Sequence, residues 1–294
     1  MVFIKLFISI FFMIQISSAS FSDTGNRSIH NFSISKKILS KIHEEHPITF
    51  YCQCRYDIKK PDWKSCGYIP KEDKKRASRI EWEHILPASH FGVNFNTWKK
   101  GHPKCKNKKG KNYKGRKCTE KINIKYRKMQ ADLYNLQPVI GEVNGLRSNY
   151  QIALIKGEKR DFGECDIEIK NKKFEPSENI RGDIARTYMY MEINYPKYIQ
   201  FDQNIKELII KWDEIDPVDK WECERSKKIE KYQGNFNNIL KERCNKKLND
   251  KLKFNKKESF VQNKEELDKV LKKNIKLNNN KGFFKGKGSK DALK

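Results

Sequence analysis

Apolar residues recur at helical spacing in three stretches of the chain. In "NFSISKKILSKIHEEH", Ile34, Ile38 and Ile42 fall on one side of a helix, and Pro47 marks its end. "RGDIARTYMYMEINY" and residues 203–215 also place apolar side chains at steps of three and four. The first stretch and residues 203–215 are predicted to be amphipathic helices, and "RGDIARTYMYMEINY" is predicted to be a helix packed on the core.

The remaining segments predict strands and loops. "ITFYCQCRY" is aromatic and β-branched, and residues 79–86 form an apolar run before Pro87, so both are predicted to be strands. "KYRKMQADLYNLQP" is predicted to be helical up to Pro138. Residues 99–128 carry fourteen Lys or Arg against one acid, Glu120, and three glycines interrupt them. They predict a long basic loop within an α+β fold.

Both ends of the chain differ in composition from the middle. Residues 1–19 have one lysine, then an apolar run, then Ser-Ser-Ala, which indicates a signal peptide cleaved near Ala19. Residues 20–45 are interpreted as an N-terminal segment with its helix, and residues 46–244 as one globular domain. Residues 245–294 form a Lys/Asn-rich tail that is expected to be disordered near its end. The protein is therefore predicted to be periplasmic or secreted.

The eight cysteines all follow the predicted signal peptide. An even number of cysteines in an exported chain indicates disulfide bonds that stabilise the fold. Cys105 with Cys118, and Cys223 with Cys244, are close enough in sequence to be local pairs, but spacing does not fix the connectivity.

The net charge of +26 favours a polyanionic partner. Nucleic acid is the first candidate and an anionic membrane surface is the second. Compositional drift toward Lys and Asn is an alternative explanation of the charge.

A carboxylate and an imidazole stand side by side as Glu83-His84. A neutral imidazole can take a proton from water, and Mg²⁺ needs only one or two protein oxygens because it keeps several waters. The second oxygen ligand can be an amide, for which Asn135, Asn144 and Asn149 are candidates. Asn144 has a nearby glycine on each side, which permits close approach to a ligand. Neighbours on a strand point to opposite faces, so a local bend is needed to bring both groups of the dipeptide to one site.

Two motifs carry a family resemblance. "RIEWEHILPASHFG" and "DLYNLQPVIGEVNGLRSNY" resemble the bacterial endonuclease I family, and further matches run in the same order from about His46 to Cys244. This resemblance implies a periplasmic or secreted nonspecific nuclease. It also implies a fold built around a ββα-metal (His-Me finger) motif, with the histidine at the end of a β-element and the asparagine on the following helix.

The resemblance also implies roles for individual residues. His84 matches the general base, and Glu83 and Asn144 match the two protein ligands of one Mg²⁺, for which Mn²⁺ or Ca²⁺ can substitute. Arg116, in "GRKC", matches an arginine that contacts the phosphate near the cleaved bond.

One cysteine departs from the family pattern. Thr97 stands where the family usually has a cysteine, so the resemblance implies that Cys105 pairs with Cys118 instead.

The expected substrates are DNA and RNA, bound by a monomer through phosphates with little sequence preference. The 99–128 loop and exposed basic residues around Arg79, Arg147 and Arg181 are expected to supply the contacts. The alternatives are a basic secreted nucleic-acid-binding protein without catalysis, and a toxin that acts on anionic membranes.

Overall fold

A computed structural model describes residues 24–157 and 159–249. The predicted signal peptide and the tail from residue 250 onward lie outside these residues. Within the described ranges, no helix has both the length and the apolar character needed to cross a membrane.

The described residues combine helices with short strands, which confirms a mixed α+β fold. The α-helices are α1 (Phe32–Ile42), α2 (Lys74–Ala77), α3 (Ala88–Gly92), α4 (Asn96–Lys99), α5 (Arg116–Ile122), α6 (Ile124–Gln130), α7 (Gly141–Arg147), α8 (Arg181–Asn194), α9 (Gln203–Ile215) and α10 (Lys220–Gln233). The strands are β1 (Tyr56–Asp57), β2 (Lys60–Pro61), β3 (Ile80–His84), β4 (Leu136–Ile140), β5 (Gln151–Ile152), β6 (Glu168–Lys170) and β7 (Lys173–Glu175). A further helical segment covers residues 238–249.

An antiparallel pair of strands lies at the centre of the fold. β3 pairs with β4 so that Glu83 lies opposite Gln137 and His84 opposite Leu136. The predicted strand at residues 79–86 is therefore confirmed, with its end at His84. All five residues of β4 are buried, and α7 begins directly after it. The chain thus runs strand, strand, helix through the region that contains both sequence motifs.

The helix predicted to continue to Pro138 is shorter than expected. α6 ends at Gln130, and the buried Asp132 accepts a hydrogen bond from the Tyr134 backbone N–H in a following 3₁₀ turn. Residues 136–140 then complete the pairing of β3, because the partner strand and complete burial outweigh local helix propensity.

The three helices predicted from periodicity are confirmed as α1, α8 and α9. Asn31 caps α1 by accepting a hydrogen bond from the Ser33 backbone N–H. Leu39 and Ile42 bury the inner face of α1 in the core. α8 and α9 pack along each other, and Trp212 of α9 is almost completely buried.

Two other local predictions are wrong in part. Residues 48–55 make a tight turn with one isolated bridge, Ile48 to Arg55, rather than a strand. Irregular backbone in the basic segment is confined to residues 100–115, since residues 116–130 form α5 and α6.

Disulfide bonds hold residues 48–55 and 100–115 in place without hydrogen bonding of the regular β-sheet kind. Cys52 bonds to Cys165, 113 positions later, and Cys54 bonds to Cys66, 12 positions later, so the turn is held by two disulfides. The two local pairs are also confirmed, and they are Cys105–Cys118 and Cys223–Cys244. No cysteine among the described residues is free.

Candidate active site

A cavity of about 1140 Å³ opens over the central strands. Its walls come from α1, the β1–β2 hairpin, β3, α5 and α7. His84, Glu83, Asn144 and Arg116 all line it. The structure therefore brings together the four site residues that the sequence analysis singled out, although they come from three separate elements.

His84 is the last residue of β3, and its ring is oriented by the backbone. Nε2 lies 2.8 Å from the Gln130 carbonyl oxygen. A carbonyl only accepts hydrogen bonds, so Nε2 carries the proton and Nδ1 is the basic nitrogen. Burial lowers the pKa of His84 to about 3, assisted by the positive charge of Arg116 and opposed by the Gln130 carbonyl. The imidazole is therefore neutral at neutral pH, which is the form that accepts a proton.

Glu83 is buried beside Arg147. Arg147 Nη1 donates to Glu83 Oε1 at 2.7 Å and to the His84 carbonyl at 3.0 Å, and Nη2 donates to the Ile85 carbonyl at 2.6 Å. Burial raises the pKa of Glu83 to about 7, and the charge and hydrogen bond of Arg147 oppose that rise. Arg147 thus fixes the carboxylate and the end of β3 at once.

The structure corrects the expected phosphate-binding role of two arginines, Arg147 and Arg181. Arg147 was expected to be an exposed phosphate contact, but only 1% of its surface is exposed. Arg181 was expected to act similarly, yet its side chain is largely buried against Glu175, 2.8 Å away, and over the ring of Trp212. Arg79 is half exposed and lines the cavity. Of these three arginines, only Arg79 remains placed to contact a phosphate.

The three candidate asparagines have different surroundings. Asn135 is buried, and its amide group accepts from the Leu86 backbone N–H and donates to the Leu86 carbonyl. Asn149 is exposed and does not line the cavity. Asn144, on α7, is partly buried and does line it. The structure therefore separates Asn144 from its two competitors.

Arg116 is the first residue of α5. Gly115 precedes it with a φ of 79°, a backbone conformation that suits glycine. The Cys105–Cys118 disulfide holds the same turn of helix against the basic loop. The Arg116 guanidinium lies 3.5 Å from Gln130 Oε1, a weak contact that leaves its other donors available to an anion.

The strand geometry also bears on the adjacent pair Glu83-His84. Glu81 and Glu83 share one face of β3, and His84 belongs to the other. Glu83 and His84 both pair in regular antiparallel register with β4, and both line the cavity at the end of β3. No sharp bend within the strand is needed, which differs from the expectation drawn from alternation.

The donor set at this site suits a hard cation with few protein ligands. Among residues 24–157 and 159–249, no group of three or more His, Cys, Asp or Glu side chains is arranged to hold a metal ion. Glu83 and Asn144 offer one carboxylate and one amide oxygen beside the same cavity. Mg²⁺ binds proteins through one or two such oxygens and keeps several waters, so the residues present fit this ion.

Three contributors to the site were missed in the sequence. The Phe32 ring of α1 packs against the His84 ring with centroids 5.0 Å apart. Gln130 acts through its backbone carbonyl, for which no residue type is diagnostic. Glu81 lines the cavity and hydrogen-bonds Asn144. Its place two residues before Glu83 was the available signal, since the two share a strand face.

Comparison with known proteins places the chain in a family. A family profile described as Endonuclease I matches residues 19–244. An Endonuclease-1 from Buchnera aphidicola subsp. Acyrthosiphon pisum (strain APS) is 42% identical over 227 residues, covering 75% of this chain and 84% of the relative. An extracellular deoxyribonuclease of Aeromonas hydrophila is 38% identical over 224 residues, covering 74% and 90%. A periplasmic deoxyribonuclease of Aeromonas hydrophila is 39% identical over 220 residues, covering 72% and 86%. The chain belongs to the Endonuclease I family of nucleases.

Proposed function

We propose that this protein is an exported endonuclease that hydrolyses phosphodiester bonds of DNA, and also of RNA, with Mg²⁺. Membership of the Endonuclease I family and the names of its relatives support a secreted deoxyribonuclease. The observation that carries the proposed mechanism is the single cavity lined by His84, Glu83, Asn144 and Arg116.

His84 is the proposed general base. Its Nδ1 takes a proton from a water molecule, and the water oxygen attacks the phosphorus atom as the bond from phosphorus to the 3′ oxygen breaks, with the electron pair leaving on that oxygen. The Gln130 carbonyl keeps the opposite nitrogen protonated and the ring in place. The low pKa of His84 means that its imidazole is fully unprotonated at neutral pH. The same low pKa makes each proton transfer from water to the imidazole less favourable.

Glu83 and Asn144 are the proposed protein ligands of Mg²⁺. Glu83 would use the oxygen that does not bind Arg147, and Asn144 its side-chain carbonyl oxygen. Mg²⁺ bound there would neutralise charge on the scissile phosphate and stabilise the leaving 3′ oxygen. Together with the order of β3, β4 and α7, this ligand set supports a ββα-metal motif.

Arg116 is the proposed phosphate-binding residue. Its guanidinium can donate two parallel hydrogen bonds to phosphate oxygens and so hold the backbone in line with the attacking water. Lys36, Lys37, Lys59 and Arg79 also line the cavity, and their charges suit the flanking phosphates. Contacts of this kind carry no base specificity, so sequence preference is expected to be weak.

Nicking of a supercoiled plasmid tests the proposal. The wild type is expected to nick in Mg²⁺ and to stop in EDTA. His84→Ala should bind DNA normally but lose roughly 10²–10⁴-fold in cleavage rate, the usual contribution of a general base. His90→Ala is the matched control, because His90 also lies 2.9 Å from a backbone carbonyl but does not line the cavity. Near wild-type nicking by His84→Ala would refute the assignment of the base. Tight binding without cutting by the wild type would support a binding protein instead.

A further inference from the structure

Glu81 lies at the cavity but has no role in the mechanism above. It is on β3, two residues before Glu83 and on the same face. Its side chain is only 19% exposed. A carboxylate placed so near a metal site either binds the ion directly or acts through a neighbour, and its hydrogen bonds distinguish the two.

The contact with Asn144 has a fixed direction. Asn144 Nδ2 lies 2.9 Å from Glu81 Oε2. An ionised carboxylate only accepts hydrogen bonds, so it selects the nitrogen of the carboxamide. The side-chain oxygen of Asn144 is thereby directed to the side away from Glu81. Without this contact the amide could rotate and present either atom.

Glu81 is itself held by two arginines. Arg76 Nε and Nη2 donate to its two oxygens at 3.0 and 2.7 Å, and Arg79 Nε donates to Oε1 at 2.9 Å. These bonds occupy both carboxylate oxygens and balance their charge. Glu81 is therefore suited to orient Asn144 rather than to bind a cation itself.

The two glycines beside Asn144 make room for this arrangement. A Cβ at Gly141 would lie 2.5 Å from the Arg76 carbonyl oxygen and 3.0 Å from Glu81 Oε1. A Cβ at Gly145 would lie 2.1 Å from Arg76 Nη1. The space that the sequence suggested for a ligand is occupied by the chain's own Arg76 and Glu81. α7 can therefore approach β3 closely enough for the Asn144 contact.

We propose that Glu81 is a positioning residue that holds the Asn144 carboxamide with its oxygen toward the metal. The inference rests on the proposed role of Asn144 as a metal ligand. Groups that orient metal ligands commonly contribute about 10–100-fold to metal affinity. Glu81 is therefore expected to act on metal binding before any DNA is present.

A double-mutant cycle on metal affinity tests the proposal. Mn²⁺ binding to the full chain without DNA is measured from the free-ion electron paramagnetic resonance signal. The proteins compared are the wild type, Glu81→Ala, Asn144→Ala and the double variant. Glu81→Ala should weaken binding about 10–100-fold in the wild-type background. In the Asn144→Ala background it should change binding by less than about twofold, because the group that it positions is gone.

The cycle separates positioning from simple loss of charge. If Glu81 acted only through its negative charge, its removal would weaken binding to the same extent with and without Asn144. Equal weakening in both backgrounds would overturn the proposal, and so would unchanged affinity of Glu81→Ala. Unchanged affinity of Asn144→Ala would instead refute the ligand assignment on which the proposal rests.

A second variant guards against loss of folding. Urea unfolding of Glu81→Ala checks that the fold survives. If Glu81→Ala does not fold, Glu81→Gln takes its place in the same cycle. Glutamine keeps the length of the side chain but brings an N–H₂ group toward Asn144 and the two arginines. The proposal is then supported if the substitution weakens Mn²⁺ binding only when Asn144 is present, and refuted if it weakens binding equally in both backgrounds.

Discussion

Replacing Arg147 with methionine perturbs the most deeply buried charge beside the site. The substitution keeps an unbranched side chain of similar length but removes the guanidinium. Glu83 loses its ion pair at 2.7 Å, and the carbonyls of His84 and Ile85 lose hydrogen bonds. Side-chain exposure is 1% for Arg147 and 6% for Glu83, so water cannot replace these partners.

The expected loss of unfolding free energy is large. Above pH 7, where Glu83 is ionised in the wild type, removing one partner of this buried ion pair should cost up to roughly 3–5 kcal/mol, because the carboxylate must either stay unpaired or take up a proton. Arg79→Met is the matched control, since Arg79 also pairs with a glutamate but is 51% exposed. It should lose less than about 1 kcal/mol, as exposed pairs do. Urea unfolding with the disulfides intact, followed by tryptophan fluorescence, measures both.

The pH dependence of this loss has a defined sign. Burial already raises the pKa of Glu83 to about 7 beside Arg147. Without the guanidinium, the folded-state pKa rises further above the unfolded value, so stability is lost as pH rises toward the new pKa. The difference between wild type and Arg147→Met should therefore grow as pH increases above 7.

A second substitution tests whether the unpaired carboxylate of Glu83 causes the loss of stability in Arg147→Met. If the cost comes from the unpaired carboxylate, Glu83→Gln added to Arg147→Met should recover a large part of the lost stability. A loss below about 1 kcal/mol for Arg147→Met would refute the reasoning. No recovery in the double variant would refute it as well.

Further expected outcomes concern the cavity wall, the basic loop and α7. Removing Lys36 and Lys37 together should make the slope of log K for DNA binding against log salt concentration less steep by about 0.9 for each lost phosphate contact. An unchanged slope would place α1 outside the path of the DNA. Replacing Cys105 and Cys118 with serine should lower the free energy of unfolding in urea by up to about 3 kcal/mol. It should also lower the cleavage rate, since Arg116, the proposed phosphate contact, loses its support; unchanged stability and rate would contradict this. Gly145→Ala places a Cβ 2.1 Å from the neighbouring guanidinium. It should weaken Mn²⁺ binding about tenfold, and wild-type affinity would contradict that expectation.

Helical periodicity predicted the outer elements well. α1 and α9 each have an apolar face that repeats at the right spacing, and packing reinforces the same choice. α8 is also a helix as predicted, but it is buried on most of its sides, which include Arg186 and Asn194. Residues 136–140 could not be assigned from local pattern, because their strand state depends on pairing with β3 about 55 positions earlier. The turn at 48–55 differs from the predicted strand because Cys52 and Cys54 within it are bonded to Cys165 and Cys66, a constraint that the local pattern does not show.

The site was predictable in its residue types more than in its internal contacts. The motifs named His84, Glu83, Asn144 and Arg116, and all four line one cavity. The expectation that Arg147 is exposed was wrong, because its contact with Glu83 spans 64 positions and no local sequence pattern indicates it. The carbonyl that orients the histidine belongs to the backbone, so side-chain patterns cannot show it.

The paired glycines illustrate the same limit. Their presence beside Asn144 was interpreted as space for the close approach of a ligand. The sequence could not tell whether the approaching group was a ligand or part of the chain, and the structure assigns the space to Arg76 and Glu81.

Anomalous X-ray scattering from crystals soaked in Mn²⁺ tests the central claim most directly. The expected result is one peak within coordination distance, about 2.1 Å, of a Glu83 oxygen and of Asn144 Oδ1. A water ligand near His84 Nδ1 should accompany it. A strong peak elsewhere in crystals of active protein, without one between residues 83 and 144, would contradict the proposed metal site and the mechanism built on it.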